Sequence, residues 1–256
     1  MREAIKRILL PLRRLAGRFA IDENNYTGAH GCLHAGASFI AWNQVEGDYL
    51  EFGVFRGESF AHAYRAIERN RRVVASGVPR SESFDRWLRN APRYFAFDSF
   101  AGLPDGEAAR QADYTPGAYA CSEAQFKANV KADGVDLARV ITVPGMYDAS
   151  LVPEVKARHA LRQAALVMID CDLYESTVPV LDFITDLVGQ GTVIVFHDWF
   201  RFKGSPLQGE QRACSEWLAR NPQFELIEYW REGPQAMSFL VNLRTRPALA
   251  TNGAQA

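Results

Sequence analysis

Two carboxylates close the most apolar run of the chain. In "ALVMIDCDLYEST", residues 165–177, Leu166, Val167, Met168 and Ile169 read as a strand buried on both faces. Asp170 and Asp172 follow with only Cys171 between them, where a small packed side chain is expected. A second polar pair, His197–Asp198, ends the apolar run "GTVIVF" in the same way. The carboxyl ends of strands in an open α/β sheet line the ligand crevice, so both pairs stand where chemistry is done. Asp170, His197 and Asp198 form a donor set for a divalent cation, with substrate oxygens completing the shell. Such a cation lowers the pKa of a hydroxyl it touches, and Asp172 is then the carboxylate available to take the proton. Structural roles remain open at this point. Asp172 or Ser176 could cap a helix at Thr177, and His197 could do no more than bond to backbone.

A second group of residues suits a nucleotide-like cofactor. The strand "GDYLEFG", residues 47–53, runs directly into "VFRGESFAHAYRAIERN", whose apolar residues recur at helical spacing. Glu51 ends the strand, Gly53 and Gly57 flank the turn, and Ser59 follows in the helix. Glycine permits a close backbone approach to a ligand, although a tight strand-to-helix turn would need it as well. The spacing is acid-x-Gly-x-x-x-Gly and lacks the dinucleotide pattern G-x-G-x-x-G. An acid there disfavours a pyrophosphate and suits S-adenosylmethionine, which carries an ammonium and a sulfonium. Asp98, with Ser99 beside it, ends the strand "RYFAFDSF", where a carboxylate can accept both ribose hydroxyls or cap the next turn.

These positions require a particular scaffold. Strands are expected at 47–53, 93–100, at "RVITVPG", "ALVMID" and "GTVIVFHDWF", and helices alternate with them. An inserted helix is expected near 83–88, and Ser122 opens "SEAQ", a capping box for another. "FELIEYW" and "AMSFLVNL" are joined by a connector too short for a parallel crossover, so that pair is expected to be antiparallel. The predicted fold is α/β: a doubly wound, mostly parallel seven-stranded sheet with an antiparallel last strand, as in class I methyltransferases. Residues 101–120, rich in glycine and proline, are expected to form a lid carrying Tyr114 and Tyr119. Arg201, Lys203 and the segment to Gln211 would form the facing wall.

The segments "VEGDYLEFGVFRGES", "FAFDSFAGLP", "GMYDASL", "MIDCDLYEST" and "GTVIVFHDW" resemble, in this order, the motifs of the macrocin O-methyltransferase (TylF-type) family. The likeness covers roughly residues 45–199. It implies S-adenosylmethionine-dependent, metal-assisted methylation of a hydroxyl, typically on a sugar of a glycosylated metabolite. It also implies that Asp170 ligates magnesium and that Asp172 is the general base, with further ligands from an acidic pair after the fifth strand. Here that pair is His197–Asp198. Magnesium prefers oxygen ligands, so His197 would weaken magnesium binding, select another divalent metal, or leave the metal altogether and act as base.

Composition limits the partners. The net charge of −1 over 256 residues gives no general attraction to nucleic acid. Six basic residues crowd the first eighteen against the single acid Glu3, and Ile5, Ile8, Leu9, Leu12 and Leu15 fall near helical spacing. Residues 1–42 are therefore expected to be a basic amphipathic arm and a helical approach segment. Residues 1–19 would pack on the domain, contact a partner subunit, making a homo-oligomer, or meet an anionic membrane surface. The cofactor-binding domain is placed at 43–245, followed by a flexible tail at 246–256. Four scattered cysteines without paired spacing suggest reduced thiols in the cytoplasm. Two other function classes compete: a non-catalytic S-adenosylmethionine-binding scaffold, and a nicotinamide oxidoreductase, which the missing glycine fingerprint disfavours.

Overall fold

The structure is a computed structural model and describes residues 30–104, 115 and 117–244. The basic arm at 1–19, Tyr114 with most of the expected lid, and the tail at 246–256 lie outside the described residues. The elements run α1 Gly31–Trp42, β1 Asp48–Phe52, α2 Glu58–Gly77, α3 Glu82–Arg89, β2 Tyr94–Asp98, α4 Glu123–Ala132 and β3 Val140–Pro144. They continue with the short α5 Tyr147–Ser150, α6 Pro153–His159, β4 Ala164–Ile169, α7 Tyr174–Ile184 and β5 Val193–Phe196. The chain closes with α8 Gly209–Arg220, β6 Phe224–Glu232 and β7 Ala236–Leu243.

The strands form a single sheet in the order β3-β2-β1-β4-β5-β7-β6. The four pairings among β1 to β5 follow from helical crossovers and are all parallel. Strand β7 runs antiparallel to both β5 and β6, as the short 233–235 connection requires. The expected fold is thus observed.

Each inner strand alternates its side chains between two cores. Leu50, Phe52, Phe95, Phe97, Val167, Ile169, Ile194 and Phe196 pack with Val180, Leu181, Ile184 and Trp217 from α7 and α8. Tyr49, Tyr94, Ala96, Leu166, Met168, Val193 and Val195 face Leu33, Ala37, Phe60, Ile67, Phe126 and Val130 from α1, α2 and α4. Helix α1, expected only as an approach segment, is part of this second layer. The inserted helix α3 is present with Ser81 as its cap, and it seats Phe84 and Trp87 against Val74 and Ala41. Ser122 caps α4 by accepting from the Gln125 N–H at 3.2 Å, while the Gln125 side chain turns to Asn129, so half of the capping box forms. Among the described residues no helix is long and apolar enough to cross a membrane.

The register aligns one transverse row of side chains. Phe97 pairs with Phe52, Phe52 with Ile169, and Ile169 with Phe196. All four are fully buried. Removing the Phe52 ring leaves a void beside the stacked Phe97 and the edge-on Tyr147 and Phe183, and Phe52→Ala is expected to cost about 3–5 kcal/mol of stability. Urea denaturation of the variant beside wild type checks this.

Candidate active site

The next residue on each strand of that row is polar or glycine: Asp98, Gly53, Asp170 and His197. Backbone bonds hold them there, with Gly53 N–H donating to Phe97 O, Asp170 N–H to Phe52 O and His197 N–H to Ile169 O, each at 2.9 Å. Side-chain alternation then places Asp170 and His197 on one face of the sheet, and His197 Nδ1 lies 3.0 Å from Asp170 Oδ1. Gly53 has φ +88, and a Cβ there would sit 1.8 Å from Asp170 O. No side chain fits where those two strand ends meet.

The cofactor candidates divide. Asp98 accepts from the N–H groups of Val54 (2.8 Å), Phe55 (3.1 Å) and Phe100 (2.7 Å), so its carboxylate ties the turn after β1 to the turn after β2. Ser99 Oγ donates to Gly102 O at 2.8 Å and accepts from the Ala101 N–H, which shapes the same turn. Gly53, Asp98 and Ser99 line the large cavity described below. Glu51, Gly57 and Ser59 do not. By alternation Glu51 shares the face of Tyr49, where it is fully buried and accepts from the Tyr49 hydroxyl and from Ser59 Oγ. Burial pushes its carboxyl up to about 8, against those two hydrogen bonds. Gly57, with φ +91, caps α2, and a Cβ there would meet Val130 and Phe126 of α4. These three residues therefore build the floor of the turn.

The acids at the ends of β4 and β5 do come together. Asp170, His197 and Asp198 each present a ligand atom, all within 4.8 Å of one another. Burial opposes a charge on His197, but the hydrogen bond and charge of Asp170, then the charge of Asp198, outweigh it and hold the imidazolium above its usual range. Burial, then the charges of Asp172 and Asp170, push the Asp198 carboxyl up. Arg201 Nε stands 3.4 Å from Asp198 Oδ1. Asp198 Oδ2 is buried without a hydrogen-bond donor among the described residues.

The capping alternative for Asp172 does not hold. Helix α7 starts at Tyr174, with Leu173 as its N-cap and no side-chain cap bond. Asp172 instead sits in a tight turn at φ +62, with the Leu173 N–H donating across it to Cys171 O at 2.6 Å. Aspartate and asparagine tolerate such a left-handed backbone better than other side chains. Cys171 is buried beside Thr177, and burial pushes its thiol well up, which agrees with a packing role.

A cavity of about 570 Å³ opens along this sheet edge. Its wall includes Gly53, Asp98, Asp170, Asp172, His197, Asp198 and Arg201, together with Leu103, Tyr119, Met146, Tyr147, Asp148, Glu175 and Gln235. The size is that of a small-molecule site, for which ~300–1,000 Å³ is usual. Tyr119 stands at the mouth, edge-on to Phe55 with ring centroids 5.6 Å apart. The stem of the expected lid is tied by two backbone bonds, Leu103 N–H to Ala118 O and Gly117 N–H to Leu103 O. Of the facing wall, Arg201 lines the cavity, whereas Lys203 does not and Gln211 bonds to Trp199 O. Sequence reasoning did not single out Glu210, a carboxylate 1% exposed that accepts from the Asp198 N–H at 2.9 Å. Its place at the start of a helix gave no signal, since an acid there is ordinary on an exposed helix.

A seven-stranded mixed sheet with this strand order, and a cavity at its carboxyl edge, define a class I methyltransferase. The chain belongs to the macrocin-O-methyltransferase (TylF) family, which it matches over residues 31–211. It is an S-adenosylmethionine-dependent O-methyltransferase, and the scaffold and oxidoreductase alternatives are set aside. Among solved structures, the fold is similar to that of the O-methyltransferase NovP, at 24% identity and TM-score 0.58, over 84% of this chain and 78% of that one. The calicheamicin methyltransferase CalS11 is similar at 23% identity and TM-score 0.58, over 83% of this chain and 80% of that one. No curated protein matches.

Glu51 generates a pH test in the ligand-free protein. Its pKa in the folded state, about 8, lies above the ordinary 4.5. The folded state therefore holds the proton more tightly, and that stabilisation is complete below the ordinary value and lost as pH rises through about 8. Wild type is expected to lose stability across this window, and Glu51→Gln, which does not titrate, should lose less. Thermal unfolding at several pH values measures both, and parallel curves would refute the shift.

Proposed function

We propose that this chain methylates a hydroxyl of a sugar or of a glycosylated small molecule, with a divalent cation held by Asp170, His197 and Asp198 and with Asp172 as general base. The observation that carries this reading is the meeting of those four side chains on one wall of a cavity whose other end is built by Gly53, Asp98 and Ser99. The donor set fits a cation. Three carboxylates crowd together there, one buried oxygen lacks a donor, and a positive charge among them would relieve the repulsion. An imidazole in the set suits manganese, iron or zinc better than magnesium.

The turns at Gly53 and Asp98 bind the cofactor, Asp98 toward the ribose, with Glu51 as a buried support behind them. When bound, S-adenosylmethionine would supply an electrophilic methyl on sulfur, and a cation held by Asp170, His197 and Asp198 would lower the pKa of the acceptor hydroxyl. Asp172 takes the hydroxyl proton as the oxygen bonds to the methyl carbon and the carbon–sulfur bond breaks. Alignment of the three atoms is the main contribution of the cavity. Asp148, Glu175, Gln235 and Arg201 supply the polar contacts that a hydroxyl-rich acceptor needs. The apo structure of the same CalS11, similar at TM-score 0.52, is described as a TDP-rhamnose 3'-O-methyltransferase of calicheamicin biosynthesis, which supports a sugar as acceptor here. The proposed catalytic domain spans 43–245 together with α1.

Calorimetric titration with S-adenosylhomocysteine, with Mn²⁺, with Mg²⁺ and after chelation, tests the cofactor and the cation together. Micromolar binding is expected, with Mn²⁺ bound more tightly than Mg²⁺ and weakened in Asp170→Asn. A folded protein that binds no S-adenosylhomocysteine would overturn the reading. Asp172→Asn keeps the left-handed backbone and removes the base. It is expected to lower kcat by about 10²–10⁴-fold with unchanged S-adenosylhomocysteine affinity. Wild-type turnover in that variant would overturn Asp172 as the base.

A further inference from the structure

The sheet holds His197 but does not reach Asp198. The last ladder bond at this end of β5 is the His197 N–H to Ile169 O, and the chain leaves the sheet one residue later. The Asp198 N–H is instead taken by Glu210 Oε2 at 2.9 Å, from the first turn of α8. The adjoining residue of that turn completes the grip, as Gln211 Nε2 donates to Trp199 O at 2.6 Å. Two consecutive side chains thus hold the main chain of two consecutive residues, Asp198 and Trp199, at the point where β-pairing stops. Glu210 is 1% exposed, and its second oxygen has no donor among the described residues. Burying a carboxyl in so dry a place carries a cost that the single bond from the Asp198 N–H offsets only in part.

We propose that Glu210 is a positioning residue, which orients the Asp198 carboxylate toward Asp170 and His197 by anchoring the Asp198 main chain. Helix α8, whose other buried side chains Ala213, Cys214 and Trp217 pack in the core, thereby carries the geometry of the interior to the reacting edge. Groups one bond behind a metal ligand set its direction, and their loss usually lowers metal affinity by 10–100-fold. This inference rests on the cation site of the proposed function.

Its test uses Mn²⁺ as probe, titrated into the full chain saturated with S-adenosylhomocysteine and followed by electron paramagnetic resonance. Glu210→Met fills the volume without an acceptor and is expected to weaken Mn²⁺ binding by about 10–100-fold, with S-adenosylhomocysteine affinity unchanged. Glu210→Gln keeps an acceptor oxygen and should restore Mn²⁺ affinity. An unaltered Mn²⁺ affinity in Glu210→Met overturns the proposal, as does a loss in Glu210→Gln equal to that in Glu210→Met. Should Glu210→Met fail to fold, Glu210→Gln decides alone, and a tenfold loss there overturns it. Wild-type protein that binds S-adenosylhomocysteine but no Mn²⁺ removes the cation and this inference together; wild-type Mn²⁺ binding with an insensitive Glu210→Met removes this inference alone.

Discussion

The structure depends on the register of one transverse row, Phe97–Phe52–Ile169–Phe196. In parallel strands a slip of one residue turns every side chain to the opposite face. The four apolar residues fix the register because each is fully buried and has no other place to go. The row beyond it then receives Asp98, Gly53, Asp170 and His197 without further adjustment. The polar groups of the site are thus aligned by hydrophobic packing one residue away, and the hydrogen bonds among them refine an arrangement already made.

Beyond that row the price of charge becomes visible. Asp170 and His197 keep partial access to water, whereas Asp198 is nearly closed off and Glu210 is fully so. Burial and mutual repulsion act in the same direction on these two acids, and both are pushed toward the neutral form. A site under such stress persists only if its surroundings are rigid, and the cores above and below supply that rigidity. The turn at Asp172 follows the same rule, since its left-handed backbone is held between a packed Cys171 and a packed Leu173.

Much of this was legible in the sequence. Apolar runs that end in acids located the strands and their carboxyl edge, and a short final connector gave the antiparallel pair. The motifs around Asp170, Asp172, His197 and Asp98 led to the residues that line the cavity. Glu51, Gly57 and Ser59 were drawn to the cofactor because they lie near Gly53 in the chain. Alternation along β1 turns Glu51 away from the cavity, and a strand of five residues read without its partners does not reveal which face is which. Glu210 was illegible for a related reason. Whether an acid at a helix start meets water or a strand end depends on docking, and docking is a property of two elements that lie far apart in the chain.

The seam at Gly53 has a consequence for how such an enzyme can diversify. The turn at Gly53, proposed to face the methyl donor, and the segment at Asp170–Asp172, proposed to handle the acceptor proton, touch backbone to backbone, with no room for even one methyl group between them. They behave as one mechanical piece, so a shift that suits a new acceptor at Asp170–Asp172 disturbs the donor turn as well. On the proposed assignment, new acceptors would be accommodated by parts that do not share this seam: the tied stem at Leu103 and Gly117, and the loop that carries Arg201. The contact that keeps the chemistry constant also decides where novelty is admitted.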